Sequence, residues 1–549
     1  MNCNIAATLS RSAGELGSKT GLIEACSGNK VTFAELDRRS DSYARLLCAK
    51  GIAAGDRVML MVKPSADFIC LSFALFKIGA PVILIDPGMG YKNLLRCIEG
   101  VRPVGFIGIP KAHLFKSFFK KTFASVVHSF CCGTSLGFFG PDISKQANHK
   151  DENEKYPIYD AKEDDLAAII FTTGSTGPPK GVRYEHSIFQ AQLRLIHDYY
   201  GIGPGQIDQP AFPLFALFST ALGATAVIPD MDPTRPAKVD PDRFIASIEK
   251  YGVTYSFGSP AIWNVIAKSC GKHDNRLKTL TKVLMAGAPI SGGLIIRMQE
   301  VLPLAARIHT PYGATESLPI VSIEGREITE QTWKLSQQGK GTCVGRPLPG
   351  VEIKILPISD SVIPILRSED FLEAGAIGEI IVRGDVVTRS YENNETENSL
   401  AKIADGDSLW HRMGDVGYLD GEGRLWFCGR RAHRVVTGKK KTDTTFFSIP
   451  CEAIFNNHPD VFRTALVGVP ATGKDALIPV IIIEVEKEST IDRKQLVTEI
   501  QTIGKNDPLT APIHHYLVHP DFPVDIRHNA KIFREKLAVW AADKLEGKL

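Results

Sequence analysis

The chain has 549 residues, which corresponds to roughly three to four folding units at about 150 residues each. Its 44% hydrophobic and 23% charged content excludes a disordered chain, and a net charge of +3 points to neither nucleic-acid binding nor a polybasic membrane anchor. The 11 cysteines include no CxxC pair, and only Cys131 and Cys132 are neighbours, so they read as buried apolar groups of a reducing compartment.

The N-terminus, MNCNIAATLSRSAGELG, lacks a basic start followed by an apolar run, and no stretch reaches the ~18 apolar residues of a bilayer span. A cytoplasmic protein with no transmembrane segment is expected. Residues 57–63 (RVMLMVK) read as a buried strand, 66–79 as a helix, and 81–85 (PVILI) as a strand again. Residues 167–171, 225–228 and 283–285 repeat the strand theme, and 146–165 is a polar linker. Strands alternating with helices predict an α/β fold with a largely parallel sheet covered on both faces. From 375 to 427 the pattern turns strand-rich, and a basic turn follows at 429–434. Beyond it lies a small α+β unit with a strong strand at 477–485, so the boundary is set between residues 1–429 and 430–549.

The most informative segment is 171–182, FTTGSTGPPKGV. A Ser/Thr/Gly-rich loop after an apolar strand offers backbone N–H groups and hydroxyls to phosphate oxygens. Thr172, Thr173, Gly174, Ser175, Thr176 and Gly177 supply them here, and Lys180 adds a charge. It is not a Walker A loop, because Pro178 and Pro179 precede the lysine where Gly-Lys-Ser/Thr would open a helix. The bland alternative is a flexible surface turn.

This loop resembles the phosphate-binding loop of the superfamily of acyl-CoA synthetases, peptide-synthetase adenylation domains and luciferases. Further segments follow in the family's order, from about Val31 to the end of the chain. Residues 286–289 (AGAP: Gly287, Ala288, Pro289) resemble the adenine-pocket loop, and 310–316 (TPYGATE) the aromatic-and-acid motif. Residues 410–420 (WHRMGDVGYLD) with Gly429 and Arg430 resemble the ribose-binding segments, and 526–532 (IRHNAKI) the catalytic-lysine loop. The resemblance implies a large N-terminal adenylation domain with a small mobile C-terminal lid, and activation of a carboxylic acid by ATP as an acyl-adenylate. Tyr312 and Gly313 would lie against adenine, Asp415 and Arg430 at the ribose, and Glu316 would hold Mg²⁺ beside Thr315. Lys531 would bridge the carboxylate and α-phosphate. Read without the resemblance, Tyr312 could equally be a core tyrosine, Asp415 a turn former and Lys531 a solvated lysine.

The departures narrow the choice. Ala216 in FPLFALF (212–218) stands where acyl-CoA ligases commonly carry a histidine, Ala432 replaces the acid of the hinge, and Asn529-Ala530-Lys531 replaces Ser-Gly-Lys. IDPGMG (85–90), PDMDPTRPA (229–237), PYGATESLP (311–319) and DIRHNAKI (525–532) resemble the β-lactone synthetases of bacterial long-chain olefin biosynthesis. That resemblance implies a 2-alkyl-3-hydroxy fatty acid as substrate, intramolecular lactone closure, and pathway enzymes as partners. Phe215, Ala216 and Phe218 would line an alkyl pocket, or simply belong to the core. Lys439, Lys440 and Lys441 would attract CoA phosphates, or form a solvated loop. The alternatives are a long-chain fatty-acyl-CoA ligase, which needs CoA as well as ATP and Mg²⁺, and a nucleotide-binding relative without turnover.

Overall fold

The computed structural model describes residues 3–134, 137–148, 154–172, 177–212, 214–271, 275–438, 444–471, 476–524 and 532–545. Two sheets organise the first three quarters of the chain. In the six-stranded sheet the order is His128–Cys131, Gly105–Gly108, Val58–Met61, Val82–Leu84, Leu166–Thr172 and Lys180–Glu185. The first five run parallel, and only the last is antiparallel, hairpinned onto its predecessor. These strands are apolar on both faces because helices cover both sides. The helix Ala66–Ile78 shows why: Ser65 caps its start by accepting from Phe68 N–H, Gly79 ends it with φ +81°, and every residue but Asp67 is buried. A helix apolar all round fits only the interior.

The second sheet has 14 strands among the described residues. Its parallel half runs Thr20–Glu24, Thr225–Ile228, Ile207–Asp208, Tyr255–Gly258, Lys282–Met285 and Arg307–Ala314. From Ser317–Glu324 onward the strands pair antiparallel, several of them as hairpins, although the helical stretch 325–340 joins Ser317–Glu324 to Thr342–Pro347. The expectation of a largely parallel sheet therefore describes half of this sheet, while the α/β class holds. The predicted strands at 225–228 and 477–485 coincide with Thr225–Ile228 and Leu477–Val485.

After Leu425–Arg430 a short turn, Arg431–His433, leads into a three-stranded sheet of Val461–Pro470, Leu477–Val485 and His515–Val518. Helices Ser448–Phe455, Arg493–Lys505 and Arg534–Leu545 pack on it around their own apolar cores, among them Phe455, Leu466, Ile481 and Leu496 on one face and Val467, Ile482 and Leu537 on the other. No helix among the described residues is long and apolar enough to cross a membrane.

The chain's start is tied down by a buried histidine. His186 opens the helix His186–Tyr200, and its Nδ1 accepts from the Ile5 N–H at 3.2 Å. Burial holds its imidazole down to about 4, against the pull of Asp165. The folded form thus binds this proton less readily than the unfolded chain, so stability falls as pH drops from 6.5 toward 4. Thermal unfolding across pH 7 to 4 should show His186→Gln losing less stability than the wild type, by up to about 3 kcal/mol; parallel curves would contradict this.

Candidate active site

The end of the cavity that holds Asp415 and Arg430 is set by strand register. Asp415 on Ser408–Leu419 pairs directly with Arg430 on Leu425–Arg430, which brings Arg430 Nη1 to 3.0 Å from Asp415 Oδ1. Tyr312, from the strand Arg307–Ala314 further along the same sheet, donates its hydroxyl to Asp415 Oδ2 at 2.5 Å, and its ring lies 6.0 Å from that of Phe427. Burial pushes the Asp415 carboxyl up, while the Arg430 charge and the Tyr312 hydroxyl pull it back. Asp415 raises Arg430 in turn. Asp415 Oδ1 nevertheless accepts no hydrogen bond, which leaves a buried acceptor at this place. Gly287, Ala288 and Pro289 border the same cavity, just past the carboxyl end of Lys282–Met285, and Gly287 needs its freedom at φ +97°. Loops at the carboxyl ends of parallel strands are where α/β sheets form their crevices.

The phosphate-loop candidate is the hairpin between Leu166–Thr172 and Lys180–Glu185, with Thr172 paired to Lys180 and Gly177 at φ +116°. Thr173, Gly174, Ser175 and Thr176 lie outside the described residues, as does the Thr172 side chain. Lys180 Nζ meets Glu397 Oε2 at 2.5 Å and sits 5.3 Å from the Tyr391 ring centre. The Tyr391 hydroxyl donates to Glu316 Oε1 at 2.8 Å, while the other Glu316 oxygen makes no hydrogen bond among the described residues. Thr315 presents its carbonyl to the Tyr184 hydroxyl at 2.5 Å, and Thr388 N–H and Oγ1 both donate to the Glu316 carbonyl at 2.9 Å.

Behind Tyr391 lies a lysine that the sequence reading missed. Lys402 donates to the Thr388 carbonyl and stands 5.8 Å from the Tyr391 ring centre. Burial pulls its ammonium down to about 7, against the charges of Glu316 and Glu185. His411, next along the same wall, lies with Nδ1 3.2 Å from the Ala401 carbonyl, which can only accept, so that nitrogen carries the proton. Burial, with Lys402 and Lys180 nearby, holds the ring neutral. His411 lies within the segment 410–420 without having been singled out there, whereas Tyr391, Glu397 and Lys402 sit in polar or unremarkable stretches of sequence. Their only signal is a tyrosine amid Asn and Glu in SYENNETEN, which reads as surface.

A continuous cavity of about 1170 Å³ joins these groups to an apolar arm. Phe215 and Phe218 border it, with Phe189, Phe73 and Phe257. Ala216 does not: one residue on along the helix Phe215–Ala221, it turns about 100° away and is fully buried in the core. At the far side Asp208 accepts from the Ser219 hydroxyl at 2.5 Å, and burial pushes its carboxyl up to about 8. Protonated at neutral pH, it suits apolar surroundings.

The junction compensates for Ala432 with arginines. Arg431 Nη1 lies 3.4 Å from the fully buried Glu379, which also takes Arg412 at 2.6 Å, and Arg434 donates to Asp360 at 2.5 Å. Glu452 and Arg534, paired at 2.6 Å, border the cavity from beyond the junction, with Ile532. Lys531 and Lys439–Lys441 lie outside the described residues.

Two open sheets meeting over a nucleotide-sized crevice, with a small unit closing it, define an adenylate-forming fold. ATP-bound MatB from Rhodopseudomonas palustris superposes with a TM-score of 0.78 at 21% identity, covering 99% of this chain and 100% of that one. The chain belongs to the AMP-binding enzyme family, whose model matches residues 9–392. Over 99% of both chains it is 42% identical to the olefin beta-lactone synthetase of Stenotrophomonas maltophilia. The like-named protein of Xanthomonas campestris pv. campestris is 41% identical, over 99% of this chain and 98% of its own. The protein is thus an AMP-forming ligase that uses ATP to form an adenylate.

Backbone closeness at the crevice gives a direct check. A Cβ on Gly313 would lie 2.5 Å from the Ser317 carbonyl oxygen and 3.0 Å from Leu318 Cα. Gly313→Ala should therefore cost about 2 kcal/mol or more and remove the thermal stabilisation given by saturating ATP. Unchanged unfolding temperatures with and without ATP would contradict the geometry.

Proposed function

We propose that the enzyme activates a long-chain 2-alkyl-3-hydroxy fatty acid as its acyl-adenylate and closes it to a β-lactone, releasing pyrophosphate and then AMP. The observation that carries this reading is the near-full-length 42% identity to a protein named olefin beta-lactone synthetase. The apolar arm of a 1170 Å³ cavity is of the right character for alkyl chains.

In this reading residues 1–429 form the adenylation domain and 430–549 the lid. Adenine packs against Tyr312 beside Gly287–Pro289, and the free Asp415 oxygen accepts from a ribose hydroxyl that Arg430 also reaches. The hairpin loop 172–177 and Lys180 take phosphate oxygens, so a phosphate must compete with Glu397 for Lys180. Glu316, with one carboxylate oxygen free, fits Mg²⁺, which is typically held by few carboxylates plus substrate phosphates and would neutralise phosphate charge there. The Tyr391 hydroxyl holds the other oxygen in place. Lys531 stabilises the charge that develops as the acid's carboxylate attacks the α-phosphorus.

Closure then needs no second substrate. The 3-hydroxyl oxygen attacks the adenylate's carbonyl carbon, the bond from that carbon to the phosphate oxygen breaks, AMP leaves, and the hydroxyl proton passes to solvent. The hydroxyl oxygen lies three bonds from the carbonyl carbon, and a cavity that holds the chain folded with the two in contact gives it a high effective molarity. Phe215 and Phe218 contribute to that wall.

The rival is thioester formation with CoA. Incubation with ATP, Mg²⁺ and a 2-alkyl-3-hydroxy fatty acid, with and without CoA, separates the two by mass spectrometry. A product lighter than the acid by one water, formed equally well without CoA, is expected. A CoA thioester, with only free acid recovered in its absence, would overturn lactone closure and leave adenylation intact.

A further inference from the structure

The edge of the six-stranded sheet carries a surface unrelated to the cavity. Between Glu99 and Asp142 the sequence has no acidic residue, yet it contains Arg102, Lys111, Lys116, Lys120 and Lys121 and a high density of phenylalanine. The helix Pro110–Phe118 crosses this edge. Lys111, Leu114 and Phe118 follow one another at three- and four-residue steps and therefore share one face of it.

That face is turned to solvent. Phe118 is 75% exposed and Leu114 50%, Phe138 beside the helix's start is 82% exposed, and Val127 at the foot of the edge strand is 74% exposed. The helix is firmly seated beneath them. His113 stacks on Phe139 at 5.5 Å and contacts the Phe130 carbonyl at 2.9 Å, Lys116 turns inward to Ser129, and Phe115 packs on Phe119 at 4.7 Å. The exposed rings are thus presented by a rigid support rather than left over from a loose one. Lys111, Lys120 and Lys121 are exposed and have no ion-pair partner among the described residues. The nearest acids are engaged: Glu99 accepts from Thr122 at 2.8 Å, and Asp142 from Gly133 and Ser144. A small cavity of about 250 Å³, walled by Lys116, Lys120 and Phe123, opens between the basic and aromatic groups.

We propose that this face docks the enzyme onto an anionic phospholipid surface, with Phe118, Leu114 and Phe138 entering the interfacial layer and Lys111, Lys120 and Lys121 meeting lipid phosphates. Protruding apolar side chains ringed by unpaired lysines, with no carboxylate in the segment, match the charge and depth profile of a bilayer interface. A protein partner would call for a flatter apolar core with pairs of both signs. The inference does not depend on which acid the enzyme activates.

Co-sedimentation of the full chain with vesicles tests it. Binding to vesicles of phosphatidylglycerol and phosphatidylcholine is expected, weakening steeply with salt and nearly absent on phosphatidylcholine alone. Lys120→Glu with Lys121→Glu should weaken the partition by roughly thirtyfold or more, and Leu114→Ser with Phe118→Ser should weaken it at low and high salt alike. Both variants should keep wild-type ATP–pyrophosphate exchange, which shows that they fold. Failure of the wild type to bind anionic vesicles, or equal binding by both variants, would overturn the proposal. A soluble assembly that the Leu114/Phe118 variant dissolves, without vesicle binding, would assign the face to another protein chain instead.

Discussion

The site depends first on a buried carboxylate that can exist only because two strands pair in one register. Asp415 is 3% exposed, and an isolated charge at that depth would be several kcal/mol too costly. The antiparallel pairing of Ser408–Leu419 with Leu425–Arg430 sets Arg430 opposite it, and Tyr312 reaches it from across the sheet. The Tyr312 hydroxyl donates to one oxygen, and the other faces the Arg430 charge at 3.0 Å without accepting a hydrogen bond. The same pairing fixes where the first sheet-rich body stops, because Arg431 follows directly and is drawn to Glu379. The Asp415–Arg430 pair and the Arg431–Glu379 contact that follows it thus rest on one piece of β-structure.

The end of the cavity around Glu316 is organised by a tyrosine rather than by a cluster of acids. Among the described residues no group of three His, Cys, Asp or Glu could hold a metal. Glu316 stands instead with Tyr391 on one oxygen, and two lysines flank the tyrosine ring. Lys402, with its ammonium pulled down to about 7, lowers the local positive charge as pH rises through neutrality.

Much of this architecture was legible from the sequence, for reasons that are physical. Thr225–Ile228 and Leu477–Val485 were readable because short apolar runs bounded by polar residues have few other uses in a folded chain. Gly287 and Gly177 were readable through the motifs that carry them, and the structure places both at positive φ, which favours glycine. Tyr391 and Lys402 were not, since their roles come from contacts between segments distant in sequence, Thr315–Glu316 with Thr388–Lys402, and nothing local marks them. Ala216 shows the limit within a motif: a position taken from a linear match lies one helical step away from the cavity that Phe215 and Phe218 face. At the junction, Ala432 stands where the family hinge has an acid, and the neighbouring arginines find their acids in Glu379 and Asp360, which no local pattern reveals.

The central claim is that the acid's own carboxylate attacks phosphorus in this crevice. Turnover with an acid whose carboxyl carries two ¹⁸O atoms tests it directly, with mass analysis of the nucleotide released. One ¹⁸O transferred to AMP is the result the account predicts. Release of unlabelled AMP, or of ADP with the label in inorganic phosphate, would contradict it.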